Sequence, residues 1–122
     1  MAVEFRASSG VSTTSVSTTN VTVPAGTQTG DLVLIGHAMA ASSSSRTVTW
    51  PSGFTELGVA EASGHGSRVA WKIATSSELG GATLSISVVG GAVKQAIVLT
   101  TVTGTHQTTP LNQWAKSGAT NG

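Results

Sequence analysis

Apolar and polar residues alternate along most of the chain with a period of two. This is the pattern of β-strands that have one buried face and one exposed face. The segment Ser67 to Ala74 shows it most clearly, because Val69, Trp71 and Ile73 share one parity and more polar residues share the other. The alternation predicts that these three side chains lie together in a core.

Two segments, residues 31–39 and 93–102, are apolar on both parities, which predicts central strands covered on both faces. The only helical turn that we expect is at 75–79, where a Ser or Thr cap precedes it. Shorter strands are predicted at 21–23, 46–50, 54–59, 67–74 and 82–89. About seven or eight short strands, separated by Gly, Pro and Ser turns, predict an all-β fold: an antiparallel β-sandwich or jelly roll.

The same pattern suggests three parts of the chain. Residues 1–19 are rich in Ser and Thr and form an N-terminal arm or first strand, with Ser8 to Asn20 as the candidate arm that adds to a neighbour's sheet. Residues 20–111 form the β-sandwich domain. Residues 112–122 lack periodicity and are expected to be a loose C-terminal tail, or a linker to a further module.

Composition narrows the function. Charged residues make up 9% of the chain and the net charge is +1, so no basic stripe is available for nucleic acid. The chain has no Cys, which excludes disulfides and thiolate zinc sites. The first residues do not read as a signal peptide, and the longest apolar run is too short to cross a bilayer. We therefore expect neither nucleic-acid binding nor membrane insertion, and the low charge suggests surfaces covered by neighbours.

Four motifs resemble one family. Residues 21–34, VTVPAGTQTGDLVL, are similar to the "VTVPAGTQAGDLLL" opening of a β-sandwich domain common in tailed-bacteriophage structural proteins. Residues 50–57 resemble its "P-x-G-[WF]-T-x-L" hairpin, and residues 70–74 resemble its "YYK-x-A" strand. Residues 104–111 resemble its "G-x-D-x-x-x-P-L" loop, although His106 stands where Asp is frequent. The order of the motifs, over about residues 11–111, carries the resemblance.

The resemblance implies a virion protein, made in the host cytoplasm, with no catalytic residues and no cofactor. The function that it implies is a surface-exposed minor tail or fibre-associated module. Strands rich in Ser and Thr with few charges leave sheet edges poorly protected, so we expect the module to assemble by β-edge and terminal-arm contacts. A capsid decoration protein that stabilises the head is the alternative within the same family. The implied partners are other virion proteins, and a homo-oligomer is expected.

The residues themselves argue against an enzyme. Asp31 is the only Asp, no Gly-x-Ser-x-Gly elbow occurs, and His65 beside a Ser does not make a catalytic triad. Glu56 and Glu61 are interpreted as solvated positions at the rim of a hairpin rather than as a glycosidase pair. We therefore expect neither a nucleophilic site nor a pair of catalytic carboxylates.

Metal binding has little support in the spacing of the three His residues, which are far apart. His37 shares its parity with Val33, Ile35 and Met39, which predicts a position at the end of a covered strand. A three-His site at a symmetry axis is the open alternative. We expect no resident metal.

The candidate contact residues fall into two groups. Trp114 lies in the aperiodic tail, where an indole needs burial by another chain or domain, so we interpret it as an interface anchor. Trp50 shares a face with Val48 and is predicted to be core. The interface candidates are Trp114, Val11, Val16 and Leu111. The loop candidates are Ser43, His65 and His106, which belong to the competing hypothesis of a carbohydrate-binding or receptor-binding module on a host-surface glycan.

Overall fold

The computed structural model describes residues 3–41, 46–62, 64–105 and 107, with the side chains of residues 61 and 62 left out. This part of the chain contains eight strands and one 3-10 turn. The strands are β1 (Glu4–Ser12), β2 (Thr18–Thr22), β3 (Leu32–Met39), β4 (Thr47–Thr49), β5 (Thr55–Ala62), β6 (His65–Ile73), β7 (Thr83–Val89) and β8 (Gln95–Thr103). The 3-10 turn is Ser76–Glu78, between β6 and β7.

The strands form two antiparallel sheets. The large sheet has the order β1-β8-β3-β6-β5, and the small sheet has the order β2-β7-β4. Every strand pair is antiparallel. The expectation of an all-β sandwich of seven to eight short strands is confirmed.

The core lies between the inner faces of the two sheets. The large sheet contributes Ile35 and Leu99, both fully buried, and the small sheet contributes Ile86 and Val48. Trp50 is half-buried and packs against this core, as the sequence predicts. Leu-, Ile- and Val-rich positions of alternating parity are thus sufficient to make one thin apolar layer.

The prediction that Trp71 is a core residue is wrong. In β6, the fully buried residue is Ala70, so Val69, Trp71 and Ile73 lie on the other face, outside the sandwich. The inner parity carries Arg68 and Lys72, because both cations find carboxylate partners at the margin of the core. Ion pairing therefore reverses the orientation that hydrophobicity alone predicts.

The prediction of strands covered on both faces needs a similar correction. Strands β3 and β8 are central in the large sheet, as expected. The small sheet covers only their inner face, and Val98 on the outer face of β8 is 53% exposed. Leu32 on β3 is 3% exposed, so coverage of the outer face is local rather than continuous.

The structure describes both the predicted helical turn and the candidate N-terminal arm. The helical turn predicted near Thr75 is present as the 3-10 turn, closed by a capping box between Thr75 and Glu78. Residues 8–20, the candidate arm, form the end of β1, the connection and the start of β2, and β1 pairs with β8 of its own chain.

No helix in the described ranges is long and apolar enough to span a membrane.

Candidate interaction surface

The outer face of the large sheet is built from rows of residues that pair across the strands. One row runs through Gly10, Val98, Gly36, Val69 and Gly58, from β1 to β5. Paired residues of an antiparallel sheet point to the same side. Each valine in this row therefore stands between two glycines, which leaves a trough beside each side chain.

Three further rows complete this face. They are Phe5, Val102, Leu32 and Ile73; Ser8, Thr100, Leu34, Trp71 and Thr55; and Ser12, Ala96, Ala38, Ser67 and Ala60. None of the residues in the four rows is charged. We call these four rows the apolar face.

Several large side chains of the apolar face are accessible to solvent. Phe5 is 66% exposed and Val98 is 53% exposed. Leu34, Trp71 and Val69 are half-buried and lie on neighbouring central strands. Scattered apolar side chains are ordinary on a protein surface, but a whole sheet face without a charge is typical of a surface that contacts another protein.

The outer face of the small sheet has a different character. Its positions are mostly hydroxyl and amide residues, and the exception is Val89, which pairs with Thr47 at the end of β7 and is 58% exposed. We call the polar positions the hydroxyl face: Thr18, Asn20, Thr22, Thr47, Thr49, Thr83, Ser85 and Ser87. The hydroxyls of Thr18 and Ser87 lie 3.2 Å apart, and the Ser85 hydroxyl donates to Asn20 Oδ1 at 2.6 Å. These two pairs bond across the strands, and exposed hydroxyl and amide groups are readily hydrated, so the polar part of this face does not need a partner.

The edge of the large sheet next to β1 holds a buried ion pair. The β1 ladder shifts register between Phe5 and Ala7, which turns Arg6 out of the regular alternation. Arg6 Nε donates to Asp31 Oδ2, and an Arg6 Nη donates to Oδ1 at 3.1 Å. The Asp31 side chain is 3% exposed and also accepts a hydrogen bond from the backbone N–H of Gln28. The only Asp of the chain therefore fixes β1 to the loop before β3.

His37 is buried inside the sandwich, where its ring contacts the Gln95 side chain. Gln95 Nε2 donates to the Val16 carbonyl at 2.8 Å, so Gln95 Oε1 accepts from His37 Nε2 at 3.0 Å. His37 Nδ1 is buried and has no hydrogen-bond partner in the described part of the chain. Burial lowers the pKa of His37 below 6.5, the hydrogen bond to Gln95 opposes this shift, and the charge of Arg68 adds to it.

The interpretation of Glu56 as a solvated rim residue is wrong. Glu56 Oε1 accepts from Trp50 Nε1 at 3.0 Å and from Arg68 at 3.1 Å. Its side chain is 30% exposed, and its partner Arg68 is 11% exposed. The cluster ties β5, β6 and the segment after β4 together at one side of the core.

Lys72 and Glu78 form the corresponding pair at the end of β6. Lys72 Nζ donates to Glu78 Oε2 at 2.7 Å, and the Glu78 side chain is 2% exposed. Burial opposes ionisation of Glu78, but hydrogen bonds from Lys72 and Thr75 lower its pKa below 4.5. Each of these carboxylates is explained by a structural partner.

The structure places some of the predicted contact residues. Val11 packs against the core from β1, and Val16 forms an isolated bridge with Val93. His65 is exposed at the start of β6. The other predicted residues, Trp114, Leu111, Ser43 and His106, lie outside the described residues. Interface and loop contacts for all of these positions remain predictions.

No group of three or more His, Cys, Asp and Glu residues within the described ranges is placed to hold a metal ion. His37 is in the core and His65 is on the surface, so the structure does not bring these two together. The residues that sequence reasoning missed are those of the apolar face. Their signal was present in the double apolar parity of β3 and β8, which we interpreted as burial.

Comparisons of the chain with protein-family models, with curated proteins and with solved structures give no match.

Proposed function

We propose that the chain is a non-enzymatic structural protein of a tailed-bacteriophage virion, a minor tail or fibre-associated module that binds other subunits through its large sheet. The single observation that supports this most is the apolar face, which carries no charge across five strands and exposes Phe5 and Val98. A face of this kind is stable when a neighbouring protein covers it. The order of the phage-like motifs supplies the virion context.

The buried polar groups are consistent with this proposal. Asp31, Glu56 and Glu78 each accept from a cation, and His37 contacts Gln95. These contacts hold strands and loops in place. A module of this kind acts through its shape and its surfaces, as virion assembly requires.

The test compares one charge placed on each face. Val98→Lys puts a cation in the centre of the apolar face, and Ser85→Lys puts the same cation on the hydroxyl face. We expect Val98→Lys to abolish incorporation into purified phage particles, measured by mass spectrometry, because a desolvated cation in an interface is costly. Ser85→Lys should be incorporated like the wild type. Equal incorporation of both folded variants, or absence of the wild-type chain from particles, would contradict the proposal.

A second candidate function is glycan binding, and the position of Trp71 favours it. This indole lies on the outer face beside Leu34, where a sugar ring can stack on it. Trp71→Ala should then abolish binding on a glycan array while the melting temperature changes little. A wild-type chain that binds no glycan on the array would remove this candidate.

A further inference from the structure

The sandwich has four outer strands, and they differ in how well they resist pairing with another strand. Strand β4 has three residues and β2 has five. Strand β5 is interrupted by a register shift between Glu56 and Gly58. Short strands and bulges are two of the devices that protect sheet edges. Strand β1 has nine residues, and its pairing with β8 is regular from Ala7 to Ser12.

The regular part of β1 lacks the other protective devices as well. Residues 7–12, ASSGVS, contain no Pro, no Lys and no other charge. The nearest cation, Arg6, would guard this edge if it pointed outward. Its guanidinium is instead bound to Asp31, on the loop before β3. Among the described strands β1 has a neighbour on one side only, so its second row of backbone N–H and C=O groups faces outward.

We propose that β1 pairs with β1 of a second copy of this chain, antiparallel and across a two-fold axis at Ser9, so that the two large sheets become one continuous sheet. This inference rests on the proposed function and names the partner of one of its surfaces. It adds to the face contacts tested with Val98→Lys.

The sequence of β1 is self-complementary in this register. Ala7 of one copy lies opposite Val11 of the other, and Ser8 lies opposite Gly10. These side chains are small and uncharged, so no like charges meet. Arg6, at the end of the paired stretch, lies opposite Ser12 of the other copy.

Parity also fits a two-fold axis. A two-fold axis perpendicular to a sheet keeps each face on its own side, so the residue on the axis must lie opposite itself. Ser8, Gly10 and Ser12 belong to the apolar face, and Ala7, Ser9 and Val11 belong to the inner side. Pairing at Ser9 therefore joins apolar face to apolar face. A partner with a different sequence would need to match both the charge pattern and this parity, which a second copy does by symmetry.

The experiment uses Ser8, which is exposed on the apolar face and lies diagonally across the axis from Ser8 of the second copy. Ser8→Lys and Ser8→Glu are prepared as separate full-length proteins. Ser85→Lys is the matched control, because Ser85 is also an exposed serine but lies on the hydroxyl face of the other sheet. Sedimentation equilibrium gives the dimer dissociation constant, and circular dichroism checks that each variant is folded.

We expect the wild type and Ser85→Lys to dimerise equally. Each Ser8 variant alone should dimerise more weakly, because like charges meet across the axis. An equimolar mixture of the two should form a heterodimer about tenfold tighter than either homodimer, because opposite charges then meet. A wild type that is monomeric at every concentration would overturn the proposal, and so would a mixture no tighter than its components.

The chain has no Cys, so a single introduced thiol gives an independent readout. Ser8→Cys should be cross-linked between copies by a short bis-maleimide, and Ser85→Cys should not. Equal cross-linking at both positions would overturn the pairing at β1.

Failure of this inference is distinguishable from failure of the proposed function. A monomeric chain that still enters particles, with Val98→Lys excluded from them, would remove the β1 pair and leave the virion role. A dimeric chain that is absent from particles would do the reverse.

Discussion

The two outer faces of this sandwich are made from the same strand geometry but from different side chains. On the hydroxyl face, Thr18 contacts Ser87 and Ser85 donates to Asn20, so polar groups satisfy one another across the strands. On the apolar face, Val98 and Phe5 have no comparable polar partner and remain exposed. Both faces have few or no charges, but one presents mostly polar side chains and the other presents mostly apolar ones. Apart from the exposed Val89 at the end of β7, the small sheet presents polar groups to water, whereas the apolar face gains from being covered.

The largest expected change in the free energy of unfolding comes from a comparison of the buried and the exposed side of β8. Leu99→Ala removes a fully buried side chain of β8 and should lower the free energy of unfolding by about 2–5 kcal/mol. Val98→Ala, one residue away on the apolar face, should change it by less than about 0.5 kcal/mol. Urea denaturation of both variants measures this difference. Similar losses for the two would mean that the apolar face is part of a core.

The next effect concerns the edge of the apolar face. Arg6→Leu leaves Asp31 buried without its cation and should lower the free energy of unfolding by about 2 kcal/mol. Lys94→Leu is the control, because Lys94 is a cation at an exposed site. Chemical denaturation gives both values. A loss for Arg6→Leu no larger than that of the control would show that the ion pair does not hold β1.

The pH dependence probes the core between the two faces. The pKa of His37 is lowered by burial in the folded state, so the unfolded chain takes up a proton first as the pH falls. The stability that comes from neutral His37 is complete above pH 6.5 and is lost as the pH falls through the folded pKa. The slope from one proton is at most about 1.4 kcal/mol per pH unit.

His37→Gln should therefore flatten the pH dependence of the unfolding free energy below pH 6.5. The titration of Glu78 does not overlap the pH range of this measurement. Its pKa is lowered from 4.5, so its contribution is lost only as the pH falls below that value. An unchanged slope in His37→Gln, measured by denaturation between pH 5 and pH 8, would contradict the assignment.

The smallest effect on stability is expected on the hydroxyl face. Thr49→Val with Ser85→Val adds apolar area to this face, and the free energy of unfolding should change by less than about 0.5 kcal/mol, since both positions are strand surface. Its self-association, measured by light scattering, should increase. If association does not increase, exposed apolar area alone does not explain the behaviour of the apolar face.

Much of the fold follows from the sequence, because period-two alternation and turn residues determine strands locally. The alternation correctly predicts a strand at residues 67–74, but it assigns the wrong face of that strand to the core. Hydrophobicity predicts that Trp71 points into the core. Arg68 and Lys72 point toward the core instead, because Arg68 pairs with Glu56 and Lys72 pairs with Glu78. These partners lie on other segments, so the alternation within β6 contains no information about them.

The candidate surface was harder to predict for the same reason. Apolar residues on both parities of β8 mark a central strand, but they do not tell whether a second layer of the same chain or another protein covers the outer side. The row through Gly36 and Val98 exists only once the register of the strands is known. The Arg6 contact likewise depends on a register shift that composition does not signal.

Gly36 carries one more consequence. A Cβ atom at this position would approach only the carbonyl oxygen of Val98, at 3.9 Å, so the folded chain has room for a side chain there. Glycine in the middle of a strand weakens that strand. In evolutionary terms, folding alone would let this position drift toward larger residues. A gene library randomised at Gly36 would therefore separate two selections, because variants that pass a screen for stability and fail one for assembly would show where the proposed partner contacts this face.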